Sequence, residues 1–331
     1  MGFWTGKQVL VTGAGGFIGS HLTEALVHEG ACVRALVRYN GAGRRGHLDD
    51  LKRDVAAGIE VIATTVEDPF AVRRAVAGCD TVFHLAALIG IPYSYLAPQH
   101  YVATNILGTV NVLEACLREG VRRLVHTSTS ETYGTAQRTP IDEDHPLVGQ
   151  SPYSASKIAA DQMALAYHKS FDLPVAILRP FNTFGPRQSA RAIIPTVMTQ
   201  VLAGRPKVKV GSLTPRRDLN YVDDTVLGFL GIATCDGAIG EVVNVGSGET
   251  WSIADIIERI FAIAGLRVPV ETEKLRVRPA ASEVELLLAD TSKAVDLFGY
   301  APRVAFDEGL LRTWVYLANN LDRYHPDRYS V

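Results

Sequence analysis

Short apolar runs alternate with longer stretches in which apolar positions recur every three or four residues. Gln8–Thr12, Cys32–Val37, Ile59–Ala63, Thr81–Leu85, Leu124–Thr127 and Val175–Leu178 are the short runs, and each predicts a strand. Between them, Phe17–Glu29, a segment opening near Pro69, Tyr101–Glu119 and Tyr153–Phe171 have the spacing of helices. Val102, Ile106, Val110, Leu113 and Leu117 carry the period in the third of these. Repeated strand–helix alternation argues for a parallel sheet covered by helices on both faces, and right-handed crossovers make it a doubly wound α/β sheet. Beyond Asn182 the pattern changes. Pro186, Pro195, Pro206 and Pro215 punctuate shorter pieces, with strand-like Val208–Val210 and Val242–Val245 and helical Ile253–Ala264 and Phe306–Ala318. The expected division is a first unit over residues 1–180 and a smaller C-terminal α/β lobe over residues 181–331, interleaved with it. The Gly/Arg stretch Asn40–Gly46 is expected to be a mobile loop.

Composition narrows the function classes. The 331 residues are 47% apolar, enough for a sizeable core, yet no apolar run approaches the ~20 residues of a membrane span. Met1 to Gln8 lacks the basic-then-apolar order of a signal peptide, so a cytoplasmic protein is expected. Lys and Arg number 33 against 35 Asp and Glu, so overall charge gives no case for a nucleic-acid or membrane partner. The four cysteines, Cys32, Cys79, Cys116 and Cys235, form no CxxC, and the nine histidines include no HExxH. No disulfide framework and no metal is expected, and the cysteines read as small buried hydrophobes.

The first strand runs into Thr12-Gly13-Ala14-Gly15-Gly16-Phe17-Ile18-Gly19, which opens the first helix. Glycines spaced three apart permit a tight turn, close approach of backbone to a pyrophosphate, and close helix–sheet packing, with the helix N-terminus facing the phosphates. Gly13, Gly16, Phe17, Ile18 and Gly19 are therefore expected to hold a dinucleotide on a Rossmann sheet. An acidic residue at the end of the second strand would favour NAD. Here Val37 is followed by Arg38, with Arg44 and Arg45 nearby and no carboxylate before Asp49. A guanidinium suits a 2′-phosphate, which favours NADP; the alternative is that Arg38 stacks on adenine and the cofactor is NAD. Leu85, Ala86 and Ala87 close the fourth strand, where small residues let a nicotinamide ribose lie against the backbone.

Tyr153 and Lys157 stand at i and i+4 of a predicted helix and share a face. A free tyrosine is a poor base at neutral pH, but a nearby ammonium and a nicotinium ring favour the phenolate. Tyr153 can then accept a proton from a sugar hydroxyl, with Lys157 bonding the cofactor ribose. The fifth strand ends in Thr127-Ser128-Thr129-Ser130-Glu131. Thr129 can bond the same substrate oxygen as Tyr153. Glu131 has no role in simple alcohol oxidation but is the obvious base for a carbon-bound proton, and Ser130 is a further proton donor.

These residues carry a resemblance. From about Lys7 to Leu317 the chain resembles an extended short-chain dehydrogenase/reductase of the nucleotide-sugar epimerase/dehydratase branch. The likeness rests on T-G-x-x-G-F-I-G, H-L-A-A, S-T-S-E-x-Y-G, Y-x-x-x-K, Arg179–Pro186 as R-P-F-N-x-x-G-P, and Arg217–Asp224 as R-D-x-x-Y-V-D-D. Within the branch, His84–Tyr95, Thr127–Gln137, Arg179–Thr196 and Arg278–Val284 resemble bacterial 4,6-dehydratases acting on N-acetylglucosamine nucleotides in legionaminic-acid-type pathways. The resemblance implies that Asn182 contacts a substrate diphosphate, that Arg217 and Arg278 clamp it, and that Arg187 and Arg191 approach the substrate. It also implies a homodimer paired through the helices at Tyr101–Glu119 and Tyr153–Phe171. The chain departs from the family where an aspartate usually contacts adenine. Thr65-Val66 stands there, leaving Val66 as the expected contact. The other departure is the missing ribose-reading acid after Val37, which resembles the NADP-using mannose-nucleotide dehydratases, enzymes that also carry Thr-Ser-Glu.

Three reactions share one opening step, oxidation of the sugar at C4 with Tyr153 as base. A 4,6-dehydratase then uses Glu131 to take the C5 proton and loses the C6 hydroxyl as water. A glucuronate decarboxylase loses CO2 instead, and a 4-epimerase returns hydride to the other face without an acidic C5 base. Glu131 favours dehydration, with decarboxylation as runner-up. A cofactor-holding regulator without turnover would be expected to lack Tyr153, Lys157 or Thr129. The cofactor is regenerated in each cycle and expected to stay bound. No motif names the nucleotide base.

Overall fold

The computed structural model describes residues 2–326. Among the described residues twelve strands are formed: β1 (Gln8–Thr12), β2 (Cys32–Arg38), β3 (Ile59–Thr64), β4 (Thr81–His84), β5 (Arg123–Thr127), β6 (Val175–Pro180), β7 (Asn182–Phe184), β8 (Val208–Val210), β9 (Arg216–Tyr221), β10 (Val242–Val245), β11 (Thr250–Ser252) and β12 (Val270–Thr272). The longer helices are α1 (Phe17–His28), α2 (Pro69–Val76), α3 (Gly108–Glu119), α4 (Pro152–Phe171), α5 (Ile193–Leu202), α6 (Val222–Thr234), α7 (Ile253–Ala264) and α8 (Phe306–Asn319).

Seven strands make one sheet in the order β10-β6-β5-β4-β1-β2-β3, and every pairing in it is parallel. The period of two along each strand sorts its side chains between two cores. From β1, Val9 and Val11 pack with Leu22 and Leu26 of α1 and Phe229 and Ile232 of α6. Leu10, between them, packs on the other face with Val72 of α2, Val112 and Leu113 of α3, and Ala164 of α4. Both faces being covered, the strands are apolar almost throughout. The α/β fold, a seven-stranded parallel Rossmann sheet with smaller C-terminal sheets, is the architecture expected from the alternation.

The second half departs from a simple lobe. Val242–Val245 pairs with β6 and completes the main sheet, and α6 packs against that sheet from the α1 side. The remaining elements form a three-stranded sheet β11-β9-β7 and a pair β12-β8, around a third core of α5, α7 and α8. The helix expected over Tyr101–Glu119 is also broken. A short turn at Pro98–Tyr101 leads through a π-helical segment, Val102–Leu107, into α3. The wider turn buries Asn105, which accepts from Leu88 N at 2.8 Å and donates to Leu88 O at 3.0 Å and to Ser156 Oγ at 2.9 Å. It thereby ties the loop after β4 to α4. The Asn40–Gly46 loop is likewise tied down. Asn40 bridges to Arg38 O and Arg44, and His47 N donates to Gly15 O at 3.0 Å.

Cys79 and Cys116 are buried, as small hydrophobes would be, but Cys32 is exposed at the start of β2. Among the described residues no group of His, Cys, Asp or Glu is arranged to hold a metal, and no helix is long and apolar enough to cross a membrane.

Candidate active site

The sheet reverses its winding between β1 and β4, and the crevice beyond their C-terminal ends is where such sheets bind ligands. Thr12 closes the two ends together. Its hydroxyl oxygen accepts from Leu85 N and Ala86 N, both at 3.1 Å, and so donates to His84 Nδ1 at 2.8 Å. The other ring nitrogen of His84 then donates to Thr109 Oγ1 at 3.1 Å, because that hydroxyl is itself committed to Asn105 O. His84 is therefore a neutral imidazole, and burial pushes its pKa well below the ordinary value.

The glycine turn fits a dinucleotide. Gly13 has φ +70, and a Cβ there would lie 2.8 Å from Ala86 N. A Cβ on Gly19 would overlap Gly13 O, so α1 starts hard against the turn. Gly16 caps α1 with no side-chain hydrogen bond, leaving the first amides of the helix open to an anion. Gly13→Ala is expected to cost about 1–2 kcal/mol from the left-handed backbone alone, with the clash at Ala86 added. Thermal melts with and without NAD would show a lower midpoint and no stabilisation by the dinucleotide. Arg38 ends β2, exposed, and no acid stands beside it. Asp49, the first carboxylate after it, bonds Arg45 N at 2.9 Å and Arg45 Nε at 2.7 Å, and is taken up within the loop. Val66 is buried under Gly108, and its carbonyl accepts from Asn111 Nδ2 at 2.9 Å.

Tyr153 stands in the first turn of α4 because Ser151-Pro152-Tyr153-Ser154 is a strong helix start. Ser151 Oγ accepts from Ser154 N at 3.1 Å, Ser154 Oγ accepts from Ser151 N at 2.9 Å, and Pro152 sets the first helical φ. The Tyr153 ring is buried edge-on against Tyr101 at 6.2 Å, and Tyr101 is held by its hydroxyl on Gly90 O at 2.5 Å. Burial pushes the Tyr153 phenol above its usual range; a hydrogen bond with Thr129 acts against this, and Glu131 and Tyr101 add to it. Lys157, one turn on, is buried and donates to Thr127 O at 2.6 Å. Its pKa is lowered to about 8 by burial, with Asp161 acting the other way. Thr129 caps a 3-10 turn over Ser130–Tyr133 and accepts from Glu131 N at 3.3 Å. That turn brings buried Ser130 and Glu131 to the same end of β5 as Thr129. Glu131 acts electrostatically on both Tyr153 and Arg217.

From that lobe, β9 supplies Arg217, which is buried and donates to Glu283 Oε1 at 3.0 Å. Arg278 reaches the same oxygen at 3.4 Å, so the two arginines converge on one carboxylate. Asn182 on β7 has a buried side-chain oxygen with no hydrogen-bond partner. Asp218, next to Arg217, takes Ser247 N and Ser247 Oγ at 2.7 Å and Gly248 N and Ala289 N at 3.1 Å, fixing the turn after β10. Arg191 lies at the mouth beside Gly90 and Tyr101. Arg187 does not join the crevice in this way. It adopts φ 69 and spans to α1, donating to Glu24 at 2.7 Å and Ser20 at 3.4 Å. Its guanidinium latches the two lobes instead of standing free for a diphosphate.

The pattern of single residues did not reveal Tyr101, Asn105, Asp161 or Arg179. Asp161 could have been found as the third member of the i, i+4, i+8 face that starts with Tyr153 and Lys157.

The family model described as GDP-mannose 4,6 dehydratase matches residues 10–313. A dTDP-glucose 4,6-dehydratase of Streptomyces antibioticus is 34% identical, the match covering 96% of this chain and 95% of that protein. Among solved structures, a dTDP-glucose 4,6-dehydratase from Streptomyces venezuelae with NAD bound superposes with a TM-score of 0.87 at 29% identity, covering 96% and 99% of the two chains. A UDP-glucuronic acid 4-epimerase from Bacillus cereus, in complex with UDP-glucuronic acid and NAD, does so with a TM-score of 0.85 at 31% identity, covering 95% and 99%. These relatives' named substrates are dTDP-glucose and UDP-glucuronic acid, not the N-acetylglucosamine nucleotides of the finer resemblance. The cofactor in both structures is NAD, so the NADP preference read from Arg38 gains no support from them.

Proposed function

The chain belongs to the extended short-chain dehydrogenase/reductase family of nucleotide-sugar dehydratases and epimerases, and on that premise we propose that it is a nucleotide-sugar 4,6-dehydratase. The observation that carries the choice of reaction is the buried Glu131 carboxylate, two residues from Thr129 and acting on Tyr153. A 4-epimerase needs a base only for the 4-hydroxyl, and Tyr153 supplies it. A second, acidic group beside that base suits removal of a carbon-bound proton.

In this reading Arg217 and Arg278 exchange Glu283 for the substrate diphosphate, and the Asn182 side-chain amide nitrogen donates to the same ligand. Tyr153 takes the proton of the sugar 4-hydroxyl, with Thr129 bonding the same oxygen. Bound oxidised nicotinamide dinucleotide brings a positive ring that favours the Tyr153 phenolate and a transient acceptor for the C4 hydrogen. Gly13, Gly16, Phe17, Ile18, Gly19, Leu85, Ala86, Ala87 and Val66 are the residues to hold it, with Lys157 on its ribose and Arg38 against its adenosine end. Once C4 is a ketone the C5 proton is acidic, and Glu131 removes it. Ser130 or Thr129 gives a proton to the departing C6 hydroxyl, which leaves as water and leaves a double bond between C5 and C6; with the hydrogen taken from C4 returned to C6 and a proton returned to C5, the product is a 4-keto-6-deoxy sugar.

The test is mass spectrometry of the purified protein incubated with a panel of nucleotide sugars and no added cofactor. The panel holds dTDP-glucose, UDP- and GDP-N-acetylglucosamine, GDP-mannose and UDP-glucuronate. Loss of one water from a single hexose nucleotide is expected, and it names base and sugar together. Loss of CO2 from UDP-glucuronate would replace dehydration by decarboxylation. The cofactor released on denaturation is expected to be NAD; NADP would return the 2′-phosphate role to Arg38.

Arg217→Ala is expected to raise KM about 10- to 100-fold, the worth of a charge-assisted bond in a buried site, with a smaller change in kcat. Steady-state kinetics on the panel's substrate reads the split. A homodimer belongs to the same reading. Leu96, Val102, Leu107 and Phe171 are exposed apolar residues around α3 and α4, and sedimentation velocity measures the state.

A further inference from the structure

Asp161 is fully buried and has no part in the steps above. It follows Lys157 by one turn of α4, so Tyr153, Lys157 and Asp161 line one face of the helix. Its Oδ2 accepts from Ser128 Oγ at 2.5 Å and from Arg179 Nη2 at 2.8 Å. Its Oδ1 has no hydrogen-bond partner within bonding geometry and faces His126 Nε2 at 3.3 Å. Arg179 is equally fixed. Its Nε donates to Ser128 Oγ at 3.2 Å and its Nη1 to Tyr133 OH at 2.7 Å, and Tyr133 OH donates in turn to Asn244 Oδ1 at 2.8 Å. A chain of buried polar groups thus runs from α4 through β5 and β6 to β10, starting one helical turn along α4 from Lys157.

We propose that Asp161 is a positioning residue: its buried carboxylate, anchored by Arg179 and Ser128, is the counter-charge that holds the Lys157 ammonium in the crevice. This rests on the reading of Lys157 as a working cation of the site. An ammonium removed from water gives up its proton unless an anion faces it. Lys157 interacts electrostatically with Asp161 from its own helix, His84 from β4 and His126 from β5, and donates to the Thr127 carbonyl; Tyr153 stands one turn before it on the same helix face, and Arg179 of β6 is bonded to Asp161. Burial lowers the pKa of both histidines, so neither adds charge near neutrality. Burial also pulls Lys157 down to about 8, and Asp161 is the group that opposes it. For Asp161 itself burial works against ionisation, but His126, Arg179 and Lys157 outweigh it and keep the carboxylate well below its usual range.

The sign follows. Activity that needs the Lys157 ammonium is lost as pH rises through the lysine's pKa. Removing Asp161 lowers that pKa, so the alkaline limb moves to lower pH, by about one unit or more for a close opposite charge. Two variants separate this from a merely structural ion pair. Asp161→Asn leaves Arg179 unpaired and risks the fold, whereas Asp161→Asn with Arg179→Met removes both charges together. Circular dichroism checks that each is folded. The Lys157 ε-carbon is titrated by 13C NMR on the full chain, its resonance assigned by its loss in Lys157→Met, and the pH profile of kcat is measured on the substrate that the panel identifies. Both variants are expected to titrate Lys157 at lower pH, the single variant more than the double, with kcat at neutral pH down about tenfold. A folded double variant whose Lys157 titrates as in the wild type would overturn the proposal and leave Asp161 as the packing partner of Arg179. A shifted titration in a protein that turns over no substrate of the panel upholds the proposal and removes the dehydratase reading instead.

Discussion

Replacing Tyr153 with phenylalanine is expected to lower kcat about 10³-fold, in the middle of the range for a positioned acid or base, while KM changes little. The ring carries the packing and the hydroxyl carries the chemistry. Tyr153 is buried against Tyr101, and phenylalanine keeps that edge-on contact. What is lost is one oxygen, whose bond with Thr129 favours its ionisation. Burial makes the phenolate costly in the resting site, so the surroundings must favour it when substrate is present. Position does part of this. Tyr153 occupies the second residue of α4, where the positive end of the helix favours an anion by about 0.3–1 kcal/mol. Stopped-flow kinetics with saturating substrate gives kcat directly. A variant that turned over at the wild-type rate would remove Tyr153 from the reaction and take the shared opening step of all three candidate chemistries with it.

Glu131→Gln is the second large effect, expected to reduce water loss about 10²- to 10⁴-fold. The amide is nearly isosteric with the carboxylate, so the 3-10 turn at Ser130–Tyr133 and its cap on Thr129 are kept. The variant cannot accept the C5 proton. Incubation in deuterium oxide distinguishes this from a general loss of activity, because the wild type is expected to exchange C5 hydrogen with solvent and the variant is not. Substrate binding, followed by calorimetry, should survive, since Arg217 and Arg278, proposed to hold the diphosphate, are untouched. If the variant still released water at the wild-type rate, the carboxylate would be a structural acid facing Arg217 and epimerisation would become the better reading.

Much of this architecture was legible because parallel strands buried on both faces read as largely apolar runs, as β1, β2 and β4 to β6 do; β3, at the sheet edge, has no buried residue and carries Glu60. The glycine turn was legible for the same kind of reason: φ > 0 at Gly13 and the close approach to Ala86 leave one residue type for the position. What stayed hidden was polar and buried. β9, Arg-Arg-Asp-Leu-Asn-Tyr, is buried over all but its first residue, so no alternation betrays a strand. α6 is apolar on several sides because it packs between α1, the sheet and the small lobe, which erases the helical period. The inward face of α4 carries Ser154, Ser156, Lys157 and Asp161, charges and hydroxyls where a pattern search expects leucines. The turn of Arg187 toward Glu24 depends on its backbone φ, and its sequence neighbours Pro186 and Gln188 carry no mark of it. The candidate site residues Tyr153, Lys157, Thr129 and Glu131 were singled out in the sequence because their chemistry stands out against their neighbours.

The place of β10 has a consequence for how the chain is made. Strand β6 is wholly buried and apolar but for Arg179, and its outer edge is covered by Val242–Val245 together with Gly240 and Glu241. A nascent chain that has just released Pro180 therefore holds a sheet whose last strand offers unpaired amides and carbonyls along an apolar edge, the arrangement most prone to pair with another chain. The whole of β7 to α6 must leave the ribosome before that edge closes. The buried amide of Asn244 then joins Tyr133 and Ile141 in the same event. Synthesis of the first half alone is thus not synthesis of a finished unit: the sheet against which the helix of Tyr153 and Lys157 packs is sealed by residues that belong, in sequence, to the second half.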